Sequence, residues 1–335
     1  MARGRPDLEA VLSERPRSVR SLSPAHGREL INLARESMVT RARDLDLFMH
    51  GDPHDVRLVD WGDGLQFAVI GARPPRRLMF EAVYAFLTLK NGVPIGYVLN
   101  SALFGSAEIA YNVFETYRGA EAGPIYGRVL ATVRTIFGTD AFTIYPYQLG
   151  HENQEGLESG AWWFYQKMGF RAREDAVLRL MNRELARMKR DPRQRSSLAT
   201  LRKLAAHNVY YFMGRPREDV IGLLPFGDLG LKITAYLAER FGSDREGATR
   251  TCAREAAQRF GVRSTKTWSP GERLAWDRWG PLLTMLKGVE RWTPEQRREA
   301  VLTVRAKGGR RESDFVRRFD AHRRLRQAVS KLARD

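Results

Sequence analysis

The chain has 335 residues, of which 43% are hydrophobic and 28% charged, with 56 Lys and Arg against 39 Asp and Glu for a net charge of +17. This composition is that of a globular chain with room for two domains. No apolar run approaches the about 20 residues of a membrane span, and Cys252, the sole cysteine, excludes an internal disulfide or a multi-cysteine zinc site. Residues 1–185 hold 22 basic and 22 acidic side chains, whereas residues 186–335 hold 34 and 17, so two parts of different character are expected.

Residues 1–24 are polar and rich in Pro, Arg and Ser, and read as a mobile basic segment. Their arginines (Arg3, Arg5, Arg15, Arg17, Arg20) have no apolar stretch behind them and stand among Asp7, Glu9 and Glu14, which argues against a targeting peptide and points to the cytoplasm. A helix begins at Ser23-Pro24, since Pro suits a first turn, with Leu30, Leu33, Ala34 and Met38 near one face. Residues 50–78 are dense in turn chemistry and read as loop around one strand at 65–70.

The clearest β signal follows. Two apolar runs, 82–90 and 93–104, are joined by Asn91-Gly92, the signature of a tight hairpin, and Gly105-Ser106 leads to a third strand at 107–114. A helix over 124–137 ends at Gly138. A strand over 141–147, a helix near 157–168 stopped by Gly169, and a last strand within 170–181 complete the order β-β-β-α-β-α-β. The expectation is a mixed α/β (α+β) domain over 25–185, a sheet with helices packed on it. Residues 186–196 read as a linker and 197–335 as an all-α basic domain. Its helices are expected near 197–213, 228–241, 244–260, 270–287, 294–307 and 313–333, with capping boxes at Ser243/Glu246, Ser269/Glu272 and Thr293/Gln296.

Two segments carry a resemblance. Tyr117-Arg118-Gly119-Ala120-Glu121-Ala122-Gly123 links a strand to a helix, where free backbone N–H groups and the helix dipole suit a phosphate. Ala161-Trp162-Trp163-Phe164-Tyr165-Gln166-Lys167-Met168-Gly169-Phe170 is an apolar helix face, a glycine stop and a strand. With the preceding meander, residues 82–181 resemble the GNAT (Gcn5-related N-acetyltransferase) superfamily.

That resemblance implies a GNAT-like sheet, acetyl-CoA as acyl donor and N-acetyl transfer to an amine acceptor, small molecule or protein. It implies that Arg118, Gly119, Ala120, Ala122 and Gly123 cradle the pyrophosphate, that Asn112, Val113 and Phe114 run beside the pantetheine, and that Tyr165 is the general acid for the leaving thiolate. The family pattern is Arg/Gln-x-x-Gly-x-Gly/Ala; here Glu121 replaces the middle glycine. The family also often has an Asn seven residues before the Tyr; here that position is Glu158, and Asn153 lies twelve before. A strand carboxylate serves the family as base, and Glu108 or Glu115 stands at a suitable strand end.

Other features compete. His50, Asp52, His54 and Asp55 have metal-ligating side chains, but Gly51-Asp52-Pro53 is first a turn and the spacing is irregular, so no metal is expected. Residues 256–265 carry a faint helix-turn-helix pattern that reads better as a helix ending at Gly261. The arginine clusters Arg297-Arg298, Arg310-Arg311, Arg317-Arg318 and Arg323-Arg324-Arg326 are suited to a polyanion. The alternative to an acyltransferase is therefore a non-catalytic relative whose basic helices bind nucleic acid or an acidic partner. A third possibility joins the two: transfer to an acceptor delivered by a polyanion.

Overall fold

The computed structural model describes residues 7–43, 45–117, 119 and 121–335. It is a mixed α/β structure built on one eight-stranded sheet whose strands lie side by side in chain order. The strands are Ser18–Ser21 (β1), Gly51–Gly62 (β2), Leu65–Ala72 (β3), Ala82–Lys90 (β4), Val93–Leu103 (β5), Ser106–Val113 (β6), Ala141–Ile144 (β7) and Val209–Phe212 (β8). Every neighbouring pair is antiparallel except β6 and β7. Asn91-Gly92 makes the expected hairpin turn, both residues holding the positive φ that its geometry demands (50° and 79°).

The helices of the first half are Leu8–Ser13 (α1), Pro24–Val39 (α2), Asp46–Met49 (α3), Ala122–Phe137 (α4), Pro146–Leu149 (α5), Gln154–Glu158 (α6), Ala161–Lys167 (α7) and Asp175–Arg190 (α8). Those that follow are Leu198–Leu204 (α9), Phe226–Phe241 (α10), Arg245–Phe260 (α11), Pro270–Met285 (α12), Pro294–Lys307 (α13), Glu312–Ala321 (α14) and Arg323–Arg334 (α15). None is long and apolar enough to cross a membrane. Ser23 caps α2 as expected, and both the Ser269/Glu272 and Thr293/Gln296 boxes close. The Ser243 box does not form, because Asp244 takes the cap and accepts from the Gly247 N–H.

Several expectations are corrected. The segment taken as mobile carries α1 and β1, with Leu8 and Leu12 buried and β1 paired to β2. The stretch read as loop is mostly the β2–β3 hairpin; Asp55 and Arg57 broke its apolar alternation, yet both are buried by polar partners. The helix near 157–168 is two short helices with Gly160 (φ 66°) between them. The last strand within 170–181 reduces to one bridge, Arg171 to Tyr210, followed by α8. The helix over 197–213 is α9 and then β8, which pairs with β7, so the sheet is closed by residues assigned to the all-α part. The single helix over 313–333 is split at His322 into α14 and α15.

One face of the sheet is covered by α2 and α3, with Ile31, Ala34, Met38 and Phe48 against Ile70, Ala85 and Leu87. The other face shares one core with α1, α4 and the C-terminal helices, where Phe86, Val129 and Phe137 join Trp276, Trp279, Phe315 and Phe319. The C-terminal helices also grip the loop between β3 and β4. Arg278 donates to the carbonyls of Pro75 and Arg77 (3.0 and 3.1 Å), and Trp279 Nε1 to that of Met79 (2.8 Å). The buried Lys307 ammonium donates to Phe80 and Glu81 (3.0 and 2.9 Å) and pairs with buried Glu312 at 2.6 Å. In return Arg77 donates to the carbonyls of Lys307 and Gly309 (2.8 and 2.6 Å). The start of α14 docks on Asp55 and Tyr84 through the N–H groups of Glu312 and Ser313 (3.3 and 2.9 Å).

Candidate active site

The one parallel pair in the sheet is also its weak point. β6 and β7 are in register only over Ser106–Ala141, Ala107–Phe142 and Glu108–Thr143. β7 then ends at Ile144, because Pro146 cannot continue a ladder and opens α5 instead. Beyond Glu108 the outer half of β6 faces a cleft of about 310 Å³ between it, the start of α4 and the helices α5–α7.

Five residues singled out in the sequence line this cleft: Asn112, Val113, Gly119, Ala122 and Tyr165. Arg118 and Ala120 lie outside the described residues. Gly123 sits in the first turn of α4 but is not a lining residue. Phe114 is not a lining residue: its side chain turns to the opposite face, buried against Tyr97 (centroids 6.2 Å apart) with the Arg41 guanidinium 4.4 Å from its ring centroid. Glu115 stands exposed on a short 3-10 turn and does not line the cleft.

α4 starts without a side-chain cap, but the Ala122 N–H donates to the Gly119 carbonyl (3.2 Å) and Pro124 has none, which leaves the Gly123 N–H as the first-turn donor without a partner among the described residues. A Cβ built on Gly119 meets no described residue within 4 Å beyond its chain neighbours. Glu121 is the N-cap residue by position, but it is exposed and outside the cleft lining. The carboxylate that does line the cleft, Glu155, is held by Arg43 at 3.5 Å. Asn153 lines it too, with its side chain occupied: Oδ1 accepts from the Gly156 N–H (3.1 Å) and Nδ2 donates to the Tyr147 carbonyl (3.0 Å). Glu158 accepts from Gln154 (2.7 Å) on the helix surface.

Tyr165 closes the inner end. It is 3% exposed, packed edge-on to Tyr126 and Phe170 at 5.5 and 5.9 Å, and burial pushes its phenol above the ordinary value. It therefore stays protonated at neutral pH. In the sequence Phe164 stood out only as part of an apolar helix face and Tyr111 not at all, though both line the cleft beside Tyr165, with Tyr126 behind them; all three belong to or pack against the core.

Glu108 sits at the fork itself, paired across strands to Ser101 and Thr143, and like Glu115 it is not among the residues that line the cleft. Burial pushes its carboxyl up to about 7, Glu81 repels it further, and the Ser101 hydroxyl, donating at 3.3 Å, works the other way. The neighbouring Tyr145 phenol is raised by burial first and then by Glu108 and Glu81. A carboxylate with a midpoint near neutrality can take a proton from an ammonium and release it again.

Elsewhere, no group of three or more His, Cys, Asp and Glu placed to hold a metal occurs among the described residues. Asp55 of the His50–Asp55 cluster turns inward to accept from Tyr84. Residues 262–269 form no recognition helix between α11 and α12. Of the arginines marked for a polyanion, Arg310, Arg311 and Arg317 bind His54, Ser21 and residues 135–136, while Arg298, Arg318 and Arg326 bind carboxylates. No carboxylate lies within 4 Å of Arg297, Arg323, Arg324 or Arg334 among the described residues. Compared with protein-family models, curated proteins and solved structures, the chain finds no match.

Proposed function

We propose that the protein is a CoA-dependent N-acyltransferase of the GNAT type, transferring an acetyl group from acetyl-CoA to an amine. The observation that carries this reading is the fork: a parallel strand pair that separates after three residues, beside an uncapped helix start and with Tyr165 at its inner end. An extended thioester donor needs these three things, which are strand backbone alongside its amides, N–H donors at its phosphates and a proton donor at its sulfur. The residues fit such a donor. No described residue beyond its chain neighbours crowds Gly119, Glu121 stays out of the lining, and the charge of Glu155 is offset by Arg43.

In this reading Asn112 and Val113 flank the donor, Gly119 and Ala122 border its phosphates, and Tyr165 protonates the departing thiolate. Glu108 is preferred over Glu115 as the base, being half-buried at the fork with a midpoint near 7 while Glu115 points to solvent. The amine acceptor would approach Glu108 and lose its proton there before attacking the thioester.

Thermal unfolding of the full chain with and without acetyl-CoA tests the reading. Ligand at a hundred times its Kd stabilises by about 2.7 kcal/mol, which raises Tm by about 4 °C for a chain of this size. An unchanged Tm at millimolar acetyl-CoA would overturn it. A polyanion reading keeps support from arginines of the C-terminal helices without a carboxylate partner, Arg297, Arg323 and Arg324 among them, and demands binding that weakens steeply with salt.

A further inference from the structure

Two hollows open side by side on the C-terminal helices, one of about 330 Å³ and one of about 660 Å³, and Val262, Arg263 and Ser264 of the α11–α12 connector line both. Gly261 (φ 76°) stops α11, and the chain then runs without helix to the Ser269 cap. The connector is held at both ends. The Val262 N–H donates to the Ala257 carbonyl (2.8 Å), and Trp268 is buried with Trp276 edge-on at 5.5 Å and the Arg305 guanidinium 4.8 Å from its ring centroid. Arg263 and Ser264 thus form an exposed ridge with a hollow on either side. The charge here is one-sided. Arg254, Arg263, Arg273, Arg297 and Arg298 line the two hollows against one carboxylate, Asp277. Arg298 is taken by Glu295 and Glu299, and Arg273 by the Trp268 carbonyl (2.5 Å) with the charge of Asp277 nearby. The other three are uncommitted. Among the described residues the guanidinium groups of Arg263 and Arg297 have no hydrogen bond or ion pair, and that of Arg254 has only the Thr251 hydroxyl at 3.5 Å. The larger hollow beside α15, about 890 Å³, differs in this respect, because Glu218, Asp219, Asp320 and Asp335 share its lining with the arginines.

We propose that this face binds single-stranded nucleic acid, with Arg254, Arg263 and Arg297 pairing successive phosphates as the strand passes over the ridge from one hollow into the other. The inference is independent of the acyltransferase reading. Guanidinium groups pair phosphate oxygens through two parallel N–H bonds, and the Gln258 amide and Ser264 hydroxyl in the lining add neutral donors. A flexible strand can follow a basic concavity, whereas a duplex is stiff over about 50 nm and would rest on the rim. A peptide partner draws its affinity from apolar or aromatic anchors seated in pockets. The apolar floor here offers little to such anchors, since Phe260, Trp268 and Val301 are only 4%, 7% and 9% exposed. For the same reason bases gain little by stacking, so the phosphates carry the binding and sequence does not matter.

Fluorescence anisotropy of a labelled oligothymidylate of about 16 nucleotides, titrated with the full chain between about 50 and 200 mM salt, tests the assignment. Three phosphate contacts at about −0.7 each predict a slope of log affinity against log salt of about −2 or steeper. The triple variant Arg254→Gln, Arg263→Gln, Arg297→Gln should bind about 10-fold more weakly or worse at the lowest salt and flatten the slope by about 2. Its Tm should not fall, because none of the three leaves a carboxylate stranded. Arg323→Gln, in the hollow beside α15, should bind as the wild type does. A wild-type affinity indifferent to salt, a triple variant that binds normally, or an equal loss in Arg323→Gln would each overturn the proposal. So would tighter binding of a duplex of the same length, or of polyglutamate, than of the single strand.

Discussion

Replacing Lys307 by Met asks what the basic C-terminal helices do for the sheet. The Lys307 ammonium is fully enclosed, with Glu312 at 2.6 Å and the carbonyls of Phe80 and Glu81 at 3.0 and 2.9 Å. Burial pushes the Lys307 amine below its ordinary value and the Glu312 carboxyl above its own, and the attraction between them opposes both shifts. Met fills the volume of the alkyl stem but leaves Glu312 buried with Arg77 3.9 Å away as its remaining cation. Breaking a buried pair from one side costs about 3–5 kcal/mol, most of it the stranded charge. Unfolding entropy scales with length, so for 335 residues that loss lowers Tm by about 4–7 °C.

Urea unfolding followed by tryptophan fluorescence and by far-ultraviolet circular dichroism measures it. Trp61 reports from β2 and Trp276 and Trp279 from α12, and the two signals should move together, since both regions share one core. The Lys307→Met, Glu312→Gln double variant should recover at least half of the loss, because the stranded charge is gone. A single variant within about 1 kcal/mol of wild type, or a double variant worse than the single, would refute the account of this pair.

Two further outcomes follow from the geometry. Glu108 has a folded-state midpoint raised from its ordinary 4.5 to about 7, so the folded state binds its proton more tightly and stability is lost as pH rises between those values. Glu108→Gln should therefore be more stable than wild type at pH 8 and equal to it below pH 4.5, and under the proposed acyl transfer with Glu108 as base the wild-type rate should rise through pH 7 and the variant's should not; superimposable stability profiles would contradict the burial of this group. Gly280→Ala should destabilise by about 1–3 kcal/mol in denaturant titration, since a Cβ there lies 2.8 Å from the Ala253 backbone nitrogen where α12 crosses α11. A stability gain, as helix propensity alone would give, would show that the two helices can part.

Local chemistry was legible where it is decided locally. Asn91-Gly92, Ser23-Pro24, Ser269/Glu272 and Gly138 act through their own backbone, and each stands where its residue type requires. The misreadings share a different cause. β2 was hidden because Asp55 and Arg57 are polar, and only the distant Tyr84 and Glu312 make their burial tolerable. β8, read as the end of a helix, is an edge strand fixed by β7, some 65 residues earlier. In the cleft, Tyr165 was singled out from a motif and Asn112 from its place along the strand, whereas nothing in the sequence drew notice to Tyr111 or Tyr126. What distinguishes them is a hydroxyl with no partner, which no pattern of residue types displays.

The excess of positive charge takes on a structural meaning once its partners are known. Arg278, Arg317 and Lys232 bind backbone carbonyls, and a carbonyl satisfies a cation without cancelling its charge. Irregular segments such as the β3–β4 loop expose carbonyls that no ladder pairs, and each needs a donor if it is to be buried. Long basic side chains from the helices supply those donors, so a high net charge accompanies this manner of joining helices to a sheet and does not by itself call for a polyanion. The consequence reaches the cleft. Lys307 fixes the backbone at Phe80 and Glu81, and Glu81 is the residue that adds its repulsion to Glu108. The basic helices thus fix the place of one carboxylate that acts on Glu108, through a loop they hold by its carbonyls, while burial is the larger cause of the raised Glu108 midpoint.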